Sequence, residues 1–166
     1  PPLARGEVIG AFALTEPGSG SDAGSLRTTA VPDGHGGWRI SGTKQWCTNG
    51  SHASTFLLFA RTDPETEGTR GVSAFLLDAE HVEVTREEEK LGLHSSSTAD
   101  LRLDDMLVDG DRMLHEERKG FVVAMATLDI FRTSVAAAAL GFARRALDEA
   151  LARATARKMF GKTLAD

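Results

Sequence analysis

The sequence predicts an α+β fragment, in which a mainly antiparallel β-barrel domain is followed by a long α-helix of a helical bundle. The first two thirds of the 166 residues hold all five prolines and most of the glycines, and short runs of β-branched and aromatic residues lie between these turn formers. From about Gly120 the apolar residues recur with the period of an α-helix. We therefore divide the chain into a barrel domain, residues 1–116, and the first part of a helical-bundle domain, residues 117–166.

The barrel prediction rests on short candidate strands separated by turn signals such as Asp33-Gly34, Asn49-Gly50 and Asp63-Pro64. The candidate strands lie near Ala11–Leu14, Leu26–Val31, Trp38–Ser41, Gln45–Thr48, Thr55–Arg61, Val72–Leu77, Val82–Arg86 and Ala99–Leu103. Many short strands with a turn roughly every 8–12 residues are typical of an antiparallel barrel or sandwich. Because no helical period interrupts them, the pattern does not favour a doubly wound α/β sheet.

The segment from Gly120 to Lys158 predicts one long helix, because it contains no proline and only Gly141 as an internal glycine. Its apolar stripe comprises Phe121, Met125, Leu128, Val135, Ala139 and Phe142. At about 1.5 Å per residue such a helix is roughly 58 Å long, which is longer than a small barrel can cover. A stripe of this length is typical of a helical bundle, and we expect its partner helices to lie outside this chain.

Composition argues against several classes of function. The formal net charge of -5 disfavours nucleic acid or an anionic membrane as the partner, and no apolar run looks long enough to span a bilayer, so we predict no membrane insertion. Cys47 is the single cysteine, which rules out an intramolecular disulfide and predicts a reducing compartment. The five histidines are scattered without metal-ligand spacing, so we predict no metal site.

A loop rich in glycine and hydroxyl residues follows the first candidate strand. The segment Phe12–Asp22 contains two glycines, two serines and a threonine. Glycine lets the backbone approach an anion closely, and hydroxyl groups add donors, so the segment suits a phosphate. It is neither a P-loop nor a GxGxxG turn. Ordinary turns have the same composition, and on these residues alone both interpretations stay open.

Trp46 and Thr48 lie two residues apart in the segment Lys44–Gly50, so on a strand they share one face. An aromatic plane beside a hydroxyl suits a planar heteroaromatic ligand, because one side chain stacks on it and the other hydrogen-bonds to its edge. The alternative is a core tryptophan next to a hairpin turn.

Two polar groups in the helical part also allow two interpretations each. Arg132 falls on the apolar stripe, where a buried guanidinium must be paired, and Asp129 lies one turn earlier. This arrangement is either an arginine held for a polar substrate group or a structural ion pair. The basic residues of Arg157–Lys162 either contact phosphate or complement the helix macrodipole.

Together, the segments FALTEPGSGSD, GTKQWCTNG, AMATLDIFR and ALDEALARATARKMFGK resemble the acyl-CoA dehydrogenases in order and spacing, over essentially the whole chain. The resemblance implies a small β-barrel domain between two helical bundles, FAD as cofactor and an acyl-CoA as substrate. It also implies an electron-transfer flavoprotein or similar acceptor, and a homo-oligomer, either a dimer or a tetramer. The implied location is cytoplasmic, or the mitochondrial matrix in a eukaryote.

The resemblance also assigns residues to these ligands. FAD is expected to contact Phe12, Ala13, Leu14, Thr15, Gly20, Ser21, Trp46, Cys47 and Thr48, and the FAD of a neighbouring subunit is expected to contact Arg157 and Phe160. The acyl-CoA is expected to contact Ser21, Asp129 and Arg132.

In this family a glutamate removes the proton α to the thioester carbonyl while the β-hydride passes to flavin N5, which leaves a trans-2-enoyl-CoA. Most members carry that glutamate farther along than this chain extends, and a minority carry it immediately before the matching arginine, where this chain has Phe131. Other carboxylates are poorly placed, namely Glu16, Glu116, Glu117 and Asp129. We therefore name no catalytic residue and expect this fragment to be inactive by itself.

Other functions stay open on the sequence. The same scaffold suits an acyl-CoA oxidase, a flavin monooxygenase-like relative or a non-catalytic flavin-binding relative. A function of another class is an all-β binding module with a helical oligomerisation arm and no cofactor.

Overall fold

The computed structural model describes all 166 residues and confirms the predicted α+β class. A sheet of mostly antiparallel strands precedes one long helix. In chain order the elements are α1 (Pro2–Arg5), β1 (Gly10–Ala13), β2 (Thr29–Pro32), β3 (Trp38–Thr48), β4 (Thr55–Arg61), β5 (Val72–Asp78), β6 (Glu83–Glu87), β7 (Thr98–Val108), β8 (Met113–Leu114), α2 (Gly120–Ala156), β9 (Lys158–Met159) and β10 (Lys162–Thr163). Short 3-10 helices lie at Ala23–Ser25, Gly68–Gly71, Ala79–His81 and Gly110–Arg112.

The main sheet has the strand order β6-β7-β3-β2-β4-β5-β8, and β1 also pairs with β4. β1 and β2 run parallel to β4, whereas the other neighbouring strands are antiparallel. Since β5 pairs along the whole of β4, β1 and β2 share the opposite edge of that strand. The chain between them, residues 14–28, therefore leaves this edge as a loop and returns to it.

Some predicted strand limits need correction. The predicted strands Trp38–Ser41 and Gln45–Thr48 are one strand, β3, because two register shifts in its pairing with β7 interrupt the alternation that marks a strand. β7 continues to Val108, beyond its predicted end, and β2 begins only at Thr29. The two-residue strands β8, β9 and β10 are too short to predict from alternation.

The inward side chains of the sheet form a continuous apolar core. Its buried members include Ala13, Ile40, Cys47, Phe56, Leu58, Phe75, Leu77, Leu101 and Met106. The Trp38 ring meets the Phe75 ring edge-on, with centroids 5.8 Å apart. Full burial of one such side chain stabilises the fold by about 1.5–3 kcal/mol, so the core gives the connecting loops a rigid base.

The chain divides into two compact units, Pro1–Ala124 and Met125–Asp166, and the division falls inside α2. Within the first unit, the start of α2 is fixed against β5. The Arg118 N–H donates to Ser73 Oγ at 2.7 Å, and a Cβ added at Gly120 would lie 2.3 Å from the carbonyl carbon of Ser73. Glycine is therefore required where the helix begins. The predicted domain boundary after residue 116 stays a prediction.

Farther along, α2 exposes much of its apolar stripe, including Val135 and Phe142. The helix ends at Ala156, just before the predicted Lys158, and its 37 residues span about 55 Å. An 18-residue window of α2 has a mean hydropathy of 1.5, so by length and composition this helix could cross a membrane. The expectation that no apolar run is long enough is wrong by that measure, although the core helix of a soluble protein passes the same test.

Candidate functional site

The Gly-Ser loop, residues 14–22, folds back on itself at its tip. The Glu16 N–H donates to the Ser19 carbonyl at 2.9 Å, and the Ser19 N–H donates to the Glu16 carbonyl at 3.0 Å. Gly20 and Ser21 follow this turn and are exposed. The loop is thus a closed turn that presents small residues to solvent.

A buried ion pair joins the Gly-Ser loop to β3. Lys44 Nζ lies 2.8 Å from Glu16 Oε1, and the two side chains are 0% and 6% exposed. The same ammonium donates to the Leu14 carbonyl at 3.2 Å. The Glu16 carboxylate also accepts the main-chain N–H groups of Arg27 at 2.6 Å and Thr28 at 2.9 Å. Together, Lys44 and Glu16 tie both ends of the chain between β1 and β2 to the sheet.

Glu16 is ionised in this pair. Burial alone would raise the pKa of Glu16, but the Lys44 ammonium and the N–H donors outweigh burial and hold that pKa below its ordinary value. Burial lowers the pKa of Lys44, and the Glu16 carboxylate opposes that change. A buried carboxylate with three donors on its oxygens is a structural anchor, which gives a physical reason why Glu16 is a poor candidate for a catalytic base.

Trp46 lies on a β-bulge in β3. The pairing with β7 shifts register between Lys44 and Cys47, and Trp46 has a left-handed φ of 58°. Its N–H donates to Asp100 Oδ1 at 3.2 Å. Because a bulge inserts one residue, Cys47 rather than Trp46 takes the next inward position after Lys44, and Trp46 is 59% exposed. The interpretation of Trp46 as a core residue is therefore wrong.

The Gly-Ser loop and the bulge meet through their main chains. The Gln45 N–H donates to the Thr15 carbonyl at 2.8 Å. Thr15 is half-buried, whereas Trp46 and Thr48 are exposed on the outward side of β3. The first unit therefore brings the two predicted FAD-contacting segments together, with an indole plane and hydroxyl side chains along one region of its surface.

The other predicted FAD residues of the first unit differ in what they can offer. Phe12 is half-buried, with its ring centroid 5.0 Å from that of Phe59. Buried side chains belong to Ala13, Leu14 and Cys47. These three residues can offer a ligand only main-chain groups. Burial also raises the pKa of the Cys47 thiol to about 11, so Cys47 is a packed residue and not a reactive thiol.

The predicted substrate pair lies in the second unit and is exposed. Arg132 Nη1 is 3.4 Å from Asp129 Oδ1, and the two side chains are 69% and 71% exposed. Their neighbour on the apolar stripe, Val135, is exposed as well, and the choice between a substrate arginine and a structural ion pair stays a prediction. Phe131, the position considered for a base in the sequence analysis, is exposed as well.

Arg157 and Phe160 lie at the β9–β10 hairpin that follows α2. The Arg157 N–H donates to the Arg153 carbonyl at 2.9 Å and continues the last turn of the helix. Phe160 has a left-handed φ of 53° and is followed by Gly161 with φ of 81°. This tight turn leaves Phe160 98% exposed, so the hairpin presents an aromatic ring to solvent.

The roles of Lys44 and Asp100 were not predicted from the sequence. The alternation along β3 did indicate that Lys44 is buried. Ile40, Gly42 and Lys44 are spaced by two residues and therefore share the inward side of the strand. A lysine at an inward position requires a buried partner. The sequence gives no comparable signal that this partner is Glu16, 28 residues away.

Two family models match the chain. Residues 11–106 match the acyl-CoA dehydrogenase middle domain, and residues 118–166 match the acyl-CoA dehydrogenase C-terminal domain. The short-chain specific acyl-CoA dehydrogenase of Clostridium acetobutylicum is 46% identical over 165 residues, which cover 98% of this chain and 43% of the relative. The mitochondrial short-chain specific acyl-CoA dehydrogenase of Sus scrofa is 44% identical over 165 residues, with 98% and 40% covered. The chain thus spans less than half the length of these relatives.

Solved structures show the same similarity. Butyryl-CoA dehydrogenase from Megasphaera elsdenii superposes with a TM-score of 0.88 at 41% identity, covering 99% of this chain and 43% of that chain. Glutaryl-CoA dehydrogenase from Mycobacterium smegmatis in complex with FADH2 superposes with a TM-score of 0.84 at 34% identity, covering 99% of this chain and 41% of that chain. A chain from the structural study of the electron transferring flavoprotein of Acidaminococcus fermentans superposes with a TM-score of 0.86 at 40% identity, covering 99% of this chain and 43% of that chain.

Proposed function

Because the chain belongs to the acyl-CoA dehydrogenase family, we propose that the protein oxidises an acyl-CoA thioester to a trans-2-enoyl-CoA with FAD as cofactor. The observation that carries this proposal is the exposed Trp46 on its bulge, joined to the Gly-Ser loop by the hydrogen bond from Gln45 to Thr15. An exposed aromatic plane beside a loop of small and hydroxyl residues suits a planar ring that carries phosphate groups.

The Gly-Ser loop fits FAD on structural grounds. A Cβ added at Gly18 or Gly20 would meet nothing within 4 Å, and neither glycine has a left-handed φ. Internal packing and backbone conformation therefore do not require glycine at these positions. Close approach of a ligand to the main chain is a further reason for glycine, and it supports a phosphate-bearing ligand at this loop.

Different residues of the first unit bind different parts of FAD in this proposal. The bound cofactor supplies the hydride acceptor. Trp46 stacks against the ring system, and the hydroxyl groups of Thr15 and Thr48 hydrogen-bond to its edges. Gly20 and Ser21 contact the pyrophosphate, where a glycine and a hydroxyl accommodate the charge. Main-chain contacts come from Phe12, Ala13, Leu14 and Cys47.

The remaining residues belong to the substrate and to a second copy of the chain. Ser21, Asp129 and Arg132 contact the acyl-CoA. Arg157 and Phe160 contact the FAD of a neighbouring subunit in a homodimer or homotetramer. The exposure of Phe160 on its hairpin supports that contact. We assign no base, because Phe131 cannot accept a proton and Glu16 is bound to Lys44.

The comparisons suggest the finer details of the reaction. Relatives specific for short chains support a short acyl-CoA as the substrate, and the similarity to a chain studied with an electron transferring flavoprotein supports such a protein as the electron acceptor. Bacterial and mitochondrial relatives support a location in the cytoplasm or the mitochondrial matrix.

Anaerobic titration with butyryl-CoA tests the proposal on the FAD-loaded full-length protein, because the 166 residues of this chain hold no assigned base. We expect the visible flavin absorbance to bleach while mass spectrometry detects an equivalent amount of enoyl-CoA. Bound flavin that no acyl-CoA bleaches would indicate a non-catalytic relative. Rapid reoxidation in air with release of hydrogen peroxide would indicate an oxidase. A protein that binds no FAD would contradict the proposal and favour the all-β binding module.

A further inference from the structure

The Lys44–Glu16 pair is an unusual device for fixing a loop. Moving two charges out of water is costly, and well-packed apolar side chains of similar volume often give equal or greater stability. Both side chains are nonetheless almost fully buried, with Nζ and Oε1 2.8 Å apart. Stability alone therefore does not explain a buried ion pair here. The effect of the pair on the main-chain geometry of the Gly-Ser loop provides an explanation.

The ammonium group sets the direction of one peptide group in the Gly-Ser loop. Lys44 Nζ donates to the Leu14 carbonyl, and the chain has no cis peptide bond. A trans peptide directs the next N–H opposite to its carbonyl, so the Thr15 N–H points away from Lys44. The following carbonyl, that of Thr15, accepts the Gln45 N–H. Two successive carbonyls are therefore held against β3.

The carboxylate group fixes the point at which the chain returns to the sheet. Glu16 accepts the N–H groups of Arg27 and Thr28. The Thr28 carbonyl in turn accepts the main-chain N–H of Arg61 at 2.8 Å, at the end of β4. The loop is thus registered on β3 through Lys44 and on β4 through Thr28.

We propose that Lys44 and Glu16 are positioning residues for FAD, which set the main-chain conformation of residues 14–16 without touching the cofactor. This inference rests on the proposed FAD site. β3 contributes to both halves of that site: Lys44 points inward and holds the loop, and the bulge two residues later turns Trp46 outward. A substitution that breaks the Lys44–Glu16 pair is therefore expected to displace the Gly-Ser loop relative to the Trp46 indole.

The test uses the double variant Glu16→Gln/Lys44→Met in the purified protein. The Arg27 and Thr28 N–H groups donate to different oxygens of Glu16, so the glutamine keeps an acceptor for one of them, and the methionine keeps most of the lysine volume. The matched control is Asp78→Asn/Arg112→Met, which removes a half-exposed ion pair of 2.5 Å between the end of β5 and the 3-10 helix Gly110–Arg112. The readouts are FAD affinity by fluorescence quenching, the visible circular dichroism of the bound flavin, and the urea midpoint.

We expect the double variant to fold, to bind FAD roughly ten-fold more weakly and to change the flavin circular dichroism, while the control stays within about two-fold of wild type. A folded double variant with wild-type affinity and an unchanged spectrum would overturn the inference. If the double variant does not fold, Glu16→Asp replaces it, because it keeps the carboxylate charge beside Lys44 and shortens the side chain by one methylene; the expectation and the contradicting result are the same. Failure of the wild-type protein to bind FAD would instead reject the proposed function, and the inference with it.

Discussion

The two compact units hold their candidate binding residues in different ways. In the first unit Lys44 and Glu16 are buried, and Trp46 is fixed by a bulge and by Asp100. In the second unit the Asp129–Arg132 pair is exposed on α2 at a separation of 3.4 Å. Residues locked by packing and hydrogen bonds are preorganised for a ligand, whereas an exposed pair on a helix is not. The geometry proposed for the flavin is thus built into the first unit, and the second unit by itself does not fix the geometry proposed for the substrate.

Removal of one charge from each ion pair gives the largest expected contrast. Lys44→Met leaves the Glu16 carboxylate buried without its counter-ion, so we expect a loss of about 3–5 kcal/mol in the free energy of unfolding. Arg132→Met removes an exposed partner, and we expect at most about 1 kcal/mol. Urea unfolding of both variants measures the difference. Equal losses would contradict the contrast between the units.

Two glycines of α2 test where the helix is packed. At Gly120 an added Cβ would lie 2.3 Å from the Ser73 carbonyl carbon, so we expect Gly120→Ala to destabilise the first unit by about 1–3 kcal/mol or more. At Gly141 an added Cβ would meet nothing within 4 Å. Gly141→Ala is therefore the matched control, expected to stabilise the helix by about 0.5–1 kcal/mol. A destabilising Gly141→Ala, measured by thermal unfolding, would show that this part of α2 is covered.

Acid should weaken the first unit through Glu16. The pKa of Glu16 is lowered in the folded chain, because the Lys44 ammonium and the N–H donors outweigh burial. The contribution of Glu16 is therefore complete above its unfolded value of about 4.3 and is lost as the pH falls through the lower folded value. Urea unfolding at stepped pH should show a steeper loss below about pH 4.3 for wild type than for Glu16→Gln. Identical slopes would contradict an ionised Glu16.

The left-handed backbone at Trp46 should have a smaller effect on stability, which is measured by comparing two substitutions at this position. A left-handed conformation costs a residue with a Cβ about 1–2 kcal/mol, so we expect Trp46→Gly to be more stable than Trp46→Ala by about that amount. Both variants lack the indole, and both should bind FAD more weakly than wild type. Urea unfolding compares the two variants. Equal stability would show that the backbone at the bulge carries no strain.

The sequence predicts the regular parts of this fold well and its special positions poorly. β4, Thr55–Arg61, matches its prediction because it is short and bounded by turns. The outward direction of Trp46 could not be predicted, because a single extra residue in the bulge reverses the alternation. Contact between Lys44 and Glu16 could not be predicted either, since it depends on how the chain between β1 and β2 returns to the sheet. The role of Arg132 stays a prediction, because an apolar stripe shows a preference for contact but does not supply the contact itself.

We propose that the first unit presents Trp46 as the surface on which FAD binds. Calorimetric titration of FAD into the purified wild-type protein, Trp46→Ala and the control Trp38→Phe tests this claim directly. We predict saturable binding to wild type and to Trp38→Phe, and binding to Trp46→Ala that is weaker by about 1–3 kcal/mol, as for loss of an aromatic stacking partner. Wild-type affinity in Trp46→Ala, or no saturable binding to wild type, would contradict it.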